Sequence, residues 1–378
     1  MSFSPSDYHR SLSGLSHGGE NPASCSLSER KSHKLSVIRC KIEYLFDPIS
    51  RPKPGKQVFI ANWISASLLD VSLAIMTTKF IAHSPNKLWL AALKPPMYSV
   101  AIIPIWIGTA VAYGETHLMH WGIFSTFLLS AILIIAWLNL SNDVFDSETG
   151  IDHNKHHSLV NLTGNKSLIF WLSNLFLAAG ILGIIAIAWW QRDWTVIGIV
   201  LLCCALGYSY QGPPFRLGYQ GLGEVICFFT FGPMAVAAAY YSQAQTFSST
   251  GLAASIIIGI STSIILFCSH FHQVEDDIAA GKRSPIVRLG TQGGAKLLPW
   301  LSGSIFALTG LFIVLGMFPI WTGLIVLSLP FAVELVQHVG DYHDQPTKVS
   351  NCKFIAVKLH FWSGLLFGWG FVLSNLLL

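Results

Sequence analysis

From about residue 97 onward, apolar runs recur between short polar interruptions, at 97–114, 119–141, 167–189, 194–210, 222–241, 251–272, 296–316, 319–338 and 354–377. Each is close to the roughly 20 residues that cross a bilayer as a helix. The runs lack the strict alternation of a barrel strand, and backbone groups in lipid must be satisfied within their own segment, so the pattern predicts helices. The expected fold is all-α: one polytopic membrane bundle of about nine transmembrane helices around a central cavity.

Composition agrees with that pattern. Of 378 residues, 52% are hydrophobic and 11% charged, and the mean hydropathy is +0.54, values foreign to a soluble domain. The net charge of +4 is spread over loops and the N-terminus without a basic stripe, so nucleic acid is not an expected partner and membrane lipid is. The seven cysteines form no CxxC pair, which argues against a disulfide framework or a zinc site.

The first 90 residues read differently. Residues 1–40 hold eleven serines and five basic residues against Asp7, Glu20 and Glu29, with no apolar run after Met1. This composition predicts a transit peptide over 1–45, with a tail that carries no address as the alternative. Residues 46–90 read as a linker, including "RPKPGK" at 51–56, and an interfacial segment. The run at 58–82 is long enough to span but carries Asp70 near its middle, at a cost of roughly 2.5–3.5 kcal/mol in the bilayer centre. The membrane domain is expected over 91–378.

Acids after residue 90 are not scattered evenly. Seven of thirteen fall in two clusters, Asp143 to Asp152 and Glu275 to Asp277, each at the exit of a long apolar run. In "LNLSNDVFDSETGID", Asn139, Asn142, Asp143 and Asp146 are spaced i, i+3, i+4, i+7, one stripe of a helix. A solvated helix end explains one such acid better than four stacked amide and carboxylate groups. Hard oxygen donors without Cys or a His pair favour Mg²⁺ over zinc.

The second cluster, "HFHQVEDDIAAGKRSPIV", repeats the first at an offset of 131 residues: His270, Gln273, Asp277 and Gly281 match Asn139, Asn142, Asp146 and Gly150. Glycine at both corresponding positions predicts a left-handed helix end. Basic residues follow each, Lys155 with His156 and His157 in one, Lys282 and Arg283 in the other. Carboxylates backed by cations suit a diphosphate that arrives with Mg²⁺, and an apolar bundle below them suits a long hydrocarbon. An isoprenyl diphosphate has both parts. Between the clusters, "YSYQGPPFRLGYQGLGE" (208–224) predicts a structured re-entrant or interfacial loop. Arg216 among tyrosines fits either a site for a planar anionic aromatic or an aromatic belt.

The three motifs "NDVFDSETGID", "YSYQGPPFRLGYQGLGE" and "HFHQVEDDIAAGKRSPIVRLGT", in this order over about residues 90–378, resemble the UbiA superfamily of intramembrane aromatic prenyltransferases. In "NKHHSLVNLTGNKSLIFWL" and the second acidic motif the chain is most similar to the 1,4-dihydroxy-2-naphthoate prenyltransferases of cyanobacteria and plastids, which attach phytyl in phylloquinone synthesis. The resemblance implies metal and diphosphate ligands at Asn142, Asp143, Asp146 and Asp277. Two departures bear on the ligand set. Gly150 stands where many members keep an aspartate, which leaves Asp152 as substitute, and Gln273 replaces another, which leaves Glu275 and Asp276. The implied mechanism holds Mg²⁺ on Asp143, Asp146 and Asp277. Lys282, Arg283 and Lys155 or Lys166 assist ionisation of phytyl diphosphate, and Tyr208, Tyr210 and Arg216 orient the aromatic acid, which loses carbon dioxide. Acceptors of the same family, homogentisate and 4-hydroxybenzoate, remain as alternatives, as does an ion-coupled secondary transporter.

Overall fold

The computed structural model describes residues 94–151 and 158–377. The expected transit peptide, linker and interfacial run at 58–82 lie outside the described residues, as do Asp152 and Lys155. Within the described residues every regular element is helical. Eight helices are long and apolar enough to cross a membrane. The run expected at 194–210 forms a shorter helix of 17 residues.

The long helices are α1 (Ser99–Thr116), α2 (Trp121–Thr149), α3 (Lys166–Gln191), α4 (Thr195–Gln211), α5 (Gly223–Ala244), α6 (Ser249–Ser269), α7 (Pro285–Val314), α8 (Ile320–Tyr342) and α9 (Cys352–Leu377). Their ends follow local chemistry. The Asn165 side chain accepts from the Leu168 N–H at 3.0 Å to start α3, and Ser248 accepts from Gly251 N–H at 3.1 Å to start α6, which satisfies donors that have no partner inside the helix. Gly150 closes α2 at φ 75°, and Gly281 follows the short helix Val274–Ala279 at φ 71°, so both matched glycines adopt the left-handed conformation.

Two helices carry irregularities next to the site. A π turn at Thr230–Met234 interrupts α5 around Pro233, whose missing N–H disturbs the regular ladder. α7 breaks at Gly290, φ 73° and ψ 158°, so the membrane-length part begins after it, near the expected position 296.

α2 packs along α3, α9 along α1 and α8, and α1 along the second half of α5, while α6 touches α5, α7 and α9. The largest buried cluster joins α1, α5, α6, α7, α8 and α9, and a second joins α1 and α5 to α2, α3 and α4. α3 and α7 are the least buried long helices and present apolar faces outward, as a lipid-facing helix must. Trp121, Trp189, Trp190 and Trp194 are exposed at the helix ends opposite the acidic motifs, where an interfacial tryptophan belt belongs.

Close approach between α1 and α5 depends on a glycine. A Cβ on Gly108 would stand 2.5 Å from the Val236 carbonyl oxygen and 2.8 Å from Tyr240 N, both backbone atoms that cannot step aside. Gly108→Val is expected to separate the two helices and cost about 1–3 kcal/mol, read as a thermal midpoint several degrees lower in detergent micelles.

Candidate active site at the polar end of the bundle

α1, α2, α4, α5 and α6 enclose a cavity of about 260 Å³. Its walls are apolar, and Asn139, Asn142 and Tyr210 line it beside Ser269, Thr262 and Lys353. On α2 the lining runs from Phe127 to Asn142, about 22 Å of helix.

The two acidic motifs come to the same end of this cavity. Tyr210 lies within electrostatic reach of Asp146, Glu224 and Asp277 together, and its ring fills the space left by Gly218 and Gly223, where a Cβ would come within 2.6 and 2.8 Å of it. The loop at 212–222 ties the motifs to each other. Tyr219 Oη is 2.7 Å from Thr149 Oγ1 at the end of α2, and its carbonyl accepts from Arg283 N–H at 2.8 Å. Lys282 Nζ stands 5.9 Å from the Tyr219 ring centre.

Asp277 is fully buried and is the centre of a charged chain. His270 Nδ1 meets its Oδ2 at 2.9 Å, Lys282 Nζ is 3.5 Å from its Oδ1, and His270 Nε2 is 3.4 Å from Glu224 Oε1. Burial pushes the Asp277 carboxyl up, but the His270 hydrogen bond, the Lys282 and His270 charges and Ser284 outweigh it and hold the group below the usual carboxylate value. Asp277 Oδ1 and Glu224 Oε1 are thus held by these ion pairs and not by hydrogen bonds, while Glu224 Oε2 and the Asn139 amide nitrogen are buried without a hydrogen-bond partner. Among the described residues, no three His, Cys, Asp or Glu side chains gather into a ready metal cage.

The first motif divides its stripe. Asn139 and Asn142 face the cavity, and buried Asp146 accepts from the Gln211 amide nitrogen. Asp143, one residue further round the helix than Asn142, is turned to other partners: Lys94 Nζ at 2.8 Å and the Leu159 N–H at 3.1 Å take its two oxygens. Of the expected cations, Lys282 is buried beside Asp277, Arg283 is exposed, and Lys166 pairs with Glu148 at 2.7 Å. Glu275 is exposed and Asp276 half-buried on their short helix.

Tyr210 lines the cavity, but Tyr208 does not: it is exposed, packs edge-on to Phe145 and donates to the Pro213 carbonyl at 2.9 Å. Residues i and i+2 of a helix point to opposite sides, so the two tyrosines could not share one pocket on α4. Arg216 is held at the surface, 3.4 Å from Glu148 Oε2. Sequence reasoning missed Lys94 and Gln211 as partners of the acids and Glu224 as the partner of His270. His270 was visible as the counterpart of Asn139 in the 131-residue offset, a signal that placed it in the motif without giving it a role.

An apolar chamber with acids and cations at one end, inside a bundle of membrane-length helices, defines an integral membrane protein. The UbiA prenyltransferase family profile matches residues 101–372, and the chain belongs to that family. It is 61% identical over 290 residues to the 2-carboxy-1,4-naphthoquinone phytyltransferase of Synechocystis, covering 77% of this chain and 94% of that protein. Identity to the chloroplastic 2-carboxy-1,4-naphthoquinone phytyltransferase of Arabidopsis thaliana is 42% over 303 residues, 76% of this chain and 78% of that one. In fold, the chain is similar to a UbiA homologue from Archaeoglobus fulgidus, with a TM-score of 0.53 at 17% identity over 74% of this chain and 99% of that one. The same homologue bound to DMAPP and Mg²⁺ gives 0.50 at 18% identity, over 77% and 99%.

The Lys94–Asp143 pair is testable apart from turnover. Lys94→Met should leave a buried carboxylate with only one N–H and lower stability by about 1–3 kcal/mol, discounted for the partly exposed lysine. Adding Asp143→Asn should recover most of the loss. Thermal midpoints of wild type, both single variants and the double variant in detergent provide the cycle; additive losses would show that the pair is not coupled.

Proposed function

We propose that this protein is a Mg²⁺-dependent prenyltransferase that moves phytyl from its diphosphate to carbon 2 of 1,4-dihydroxy-2-naphthoate in a chloroplast membrane, on the route to phylloquinone. The single observation that carries the reading is the joining of the two acidic motifs at the polar end of the apolar cavity, through Tyr219 to Thr149 on one side and to Arg283 on the other. Similarity to two 2-carboxy-1,4-naphthoquinone phytyltransferases, one of them chloroplastic, supports the donor, the location and an acceptor with a carboxylated naphthalene nucleus, and similarity to 1,4-dihydroxy-2-naphthoate octaprenyltransferases supports its reduced, dihydroxy form.

The donors present fit the metal. They are oxygens, among them the buried Asp277 Oδ1 that Lys282 meets at 3.5 Å without a hydrogen bond, and Mg²⁺ draws on one or two carboxylates plus substrate phosphates and water rather than a protein cage. Asn142, Asp146 and Asp277 would hold it, and when bound it supplies positive charge to the diphosphate, which aids its departure. Lys282 then serves the diphosphate oxygens from its place beside Asp277, with Arg283 at the exposed rim. The apolar walls take the phytyl chain and keep water from the allylic cation. Tyr210 and Asn139 would border the aromatic ring where the polar end meets the apolar chamber. A carbon–carbon bond forms between ring carbon 2 and phytyl C1, and the C1–oxygen pair leaves with diphosphate. The carboxylate departs as carbon dioxide, its bonding electrons restoring the ring.

Isolated membranes carrying the chain should convert phytyl diphosphate with 1,4-dihydroxy-2-naphthoate in Mg²⁺ and lose that activity in EDTA, with homogentisate and 4-hydroxybenzoate turned over far less. Asp146→Ala and Asp277→Asn should each lower kcat by about 10²-fold or more while the protein still inserts in the membrane. Full activity in either variant would reject the site, and preference for another acceptor would reject the substrate.

A further inference from the structure

The apolar cavity has a floor. Its deepest lining residues on four helices are Ile105 of α1, Phe127 of α2, Val200 of α4 and Ala238 of α5, and all four belong to one buried cluster. That cluster continues below them through Ile184 and Ile187 of α3, Val196 of α4 and Ala239 of α5, side chains that do not line the cavity. Ile184, Val196 and Ala239 have no exposed surface at all. The chamber therefore ends on packed side chains before it reaches the far end of the bundle. Phe127 is the largest of the four floor residues and is itself buried.

A closed floor turns depth into a limit on length. From Asn142 down to Phe127 the lining of α2 covers about 22 Å, and that of α5 spans the same number of residues, from Gly223 to Ala238. An extended carbon chain advances about 1.2 Å per bond, as a polypeptide does over the three bonds of each residue. With the diphosphate at the acidic end, the sixteen-carbon main chain of phytyl reaches down about 18 Å, and contact between its last methyl and the floor takes up about 4 Å more. One further isoprenoid unit adds about 5 Å and runs into Phe127. We infer that Phe127 is the specificity-determining residue for donor length: its ring, held from behind by α3 and α4, stops the chain at four isoprenoid units. This rests on the prenyltransferase reading above.

Membranes carrying wild type, Phe127→Ala, Phe127→Leu and Val200→Phe would be assayed with Mg²⁺, saturating aromatic acid and, in turn, farnesyl, phytyl, geranylgeranyl and geranylfarnesyl diphosphates. Wild type should discriminate against geranylfarnesyl relative to geranylgeranyl by about 10- to 100-fold in kcat/KM, a reading that depends on no variant folding. Phe127→Ala should cut that factor to about threefold or less, with Leu in between, because the lost ring opens room at the floor. Val200→Phe adds bulk at the same level and should move the preference toward farnesyl by about 10-fold. The KM for the aromatic acid should stay within about twofold throughout, which a general loosening of the bundle would not allow. Equal use of geranylgeranyl and geranylfarnesyl by wild type, or an unchanged ratio in membrane-inserted Phe127→Ala, would overturn the assignment while turnover stands. A wild type that transfers a prenyl group from none of the four donors would overturn the underlying reaction, and this assignment with it.

Discussion

Carboxylates buried at the end of an apolar bundle have to be compensated, and the polar end of this protein is organised by that need. Removing an ion from water costs several kcal/mol even after relaxation, and Asp143, Asp146 and Asp277 are all nearly or fully buried. Each is answered differently. Asp277 has His270 and Lys282, Asp143 has Lys94 and a backbone N–H, and Asp146 has the Gln211 amide. These partners come from α4, α6, the segment before α1 and the short helices outside the membrane, so compensating three charges also sets where those elements stand.

The far end of the bundle shows what acids look like when structure is their only task. There Glu115 takes hydrogen bonds from Tyr240 at 2.5 Å and Ser248 at 2.8 Å. Asp193 accepts from Thr195 N–H and the Tyr241 hydroxyl, which hold its carboxyl below the usual value. Neutral donors satisfy these oxygens. At the near end ion pairs take that part: Lys282 stands 3.5 Å from Asp277 Oδ1, His270 Nε2 is 3.4 Å from Glu224 Oε1, and Lys94 meets Asp143 at 2.8 Å. Neutral donors at one end and ion pairs at the other set the two ends of the bundle apart.

Period and composition made the spans legible because burial in lipid leaves a long, uniform signature in the chain. The two motifs were legible as well, since a glycine in the left-handed region can be read from Asp-x-x-x-Gly twice over. What stayed hidden was set by assembly. Lys94 and Asp143 are 49 residues apart and Gln211 and Asp146 are 65 apart, and nothing local in either partner announces the other. Tyr208 and Arg216 were grouped with Tyr210 by nearness along the chain, whereas the helix face decides which of them sees the cavity. Asp143 was assigned to a metal by its motif, and the fold gives both of its oxygens to Lys94 and Leu159.

On the proposed reading, a site with few carboxylates would bind a divalent cation best when that cation brings phosphate oxygens that complete its coordination. Asn142, Asp146 and Asp277 would hold it, and Lys282, buried 3.5 Å from Asp277 Oδ1, would stand beside the same anionic head. The lysine that compensates a buried carboxylate in the fold would thereby also serve the leaving group, so one ion pair joins the stability of the polar end to the chemistry proposed for it.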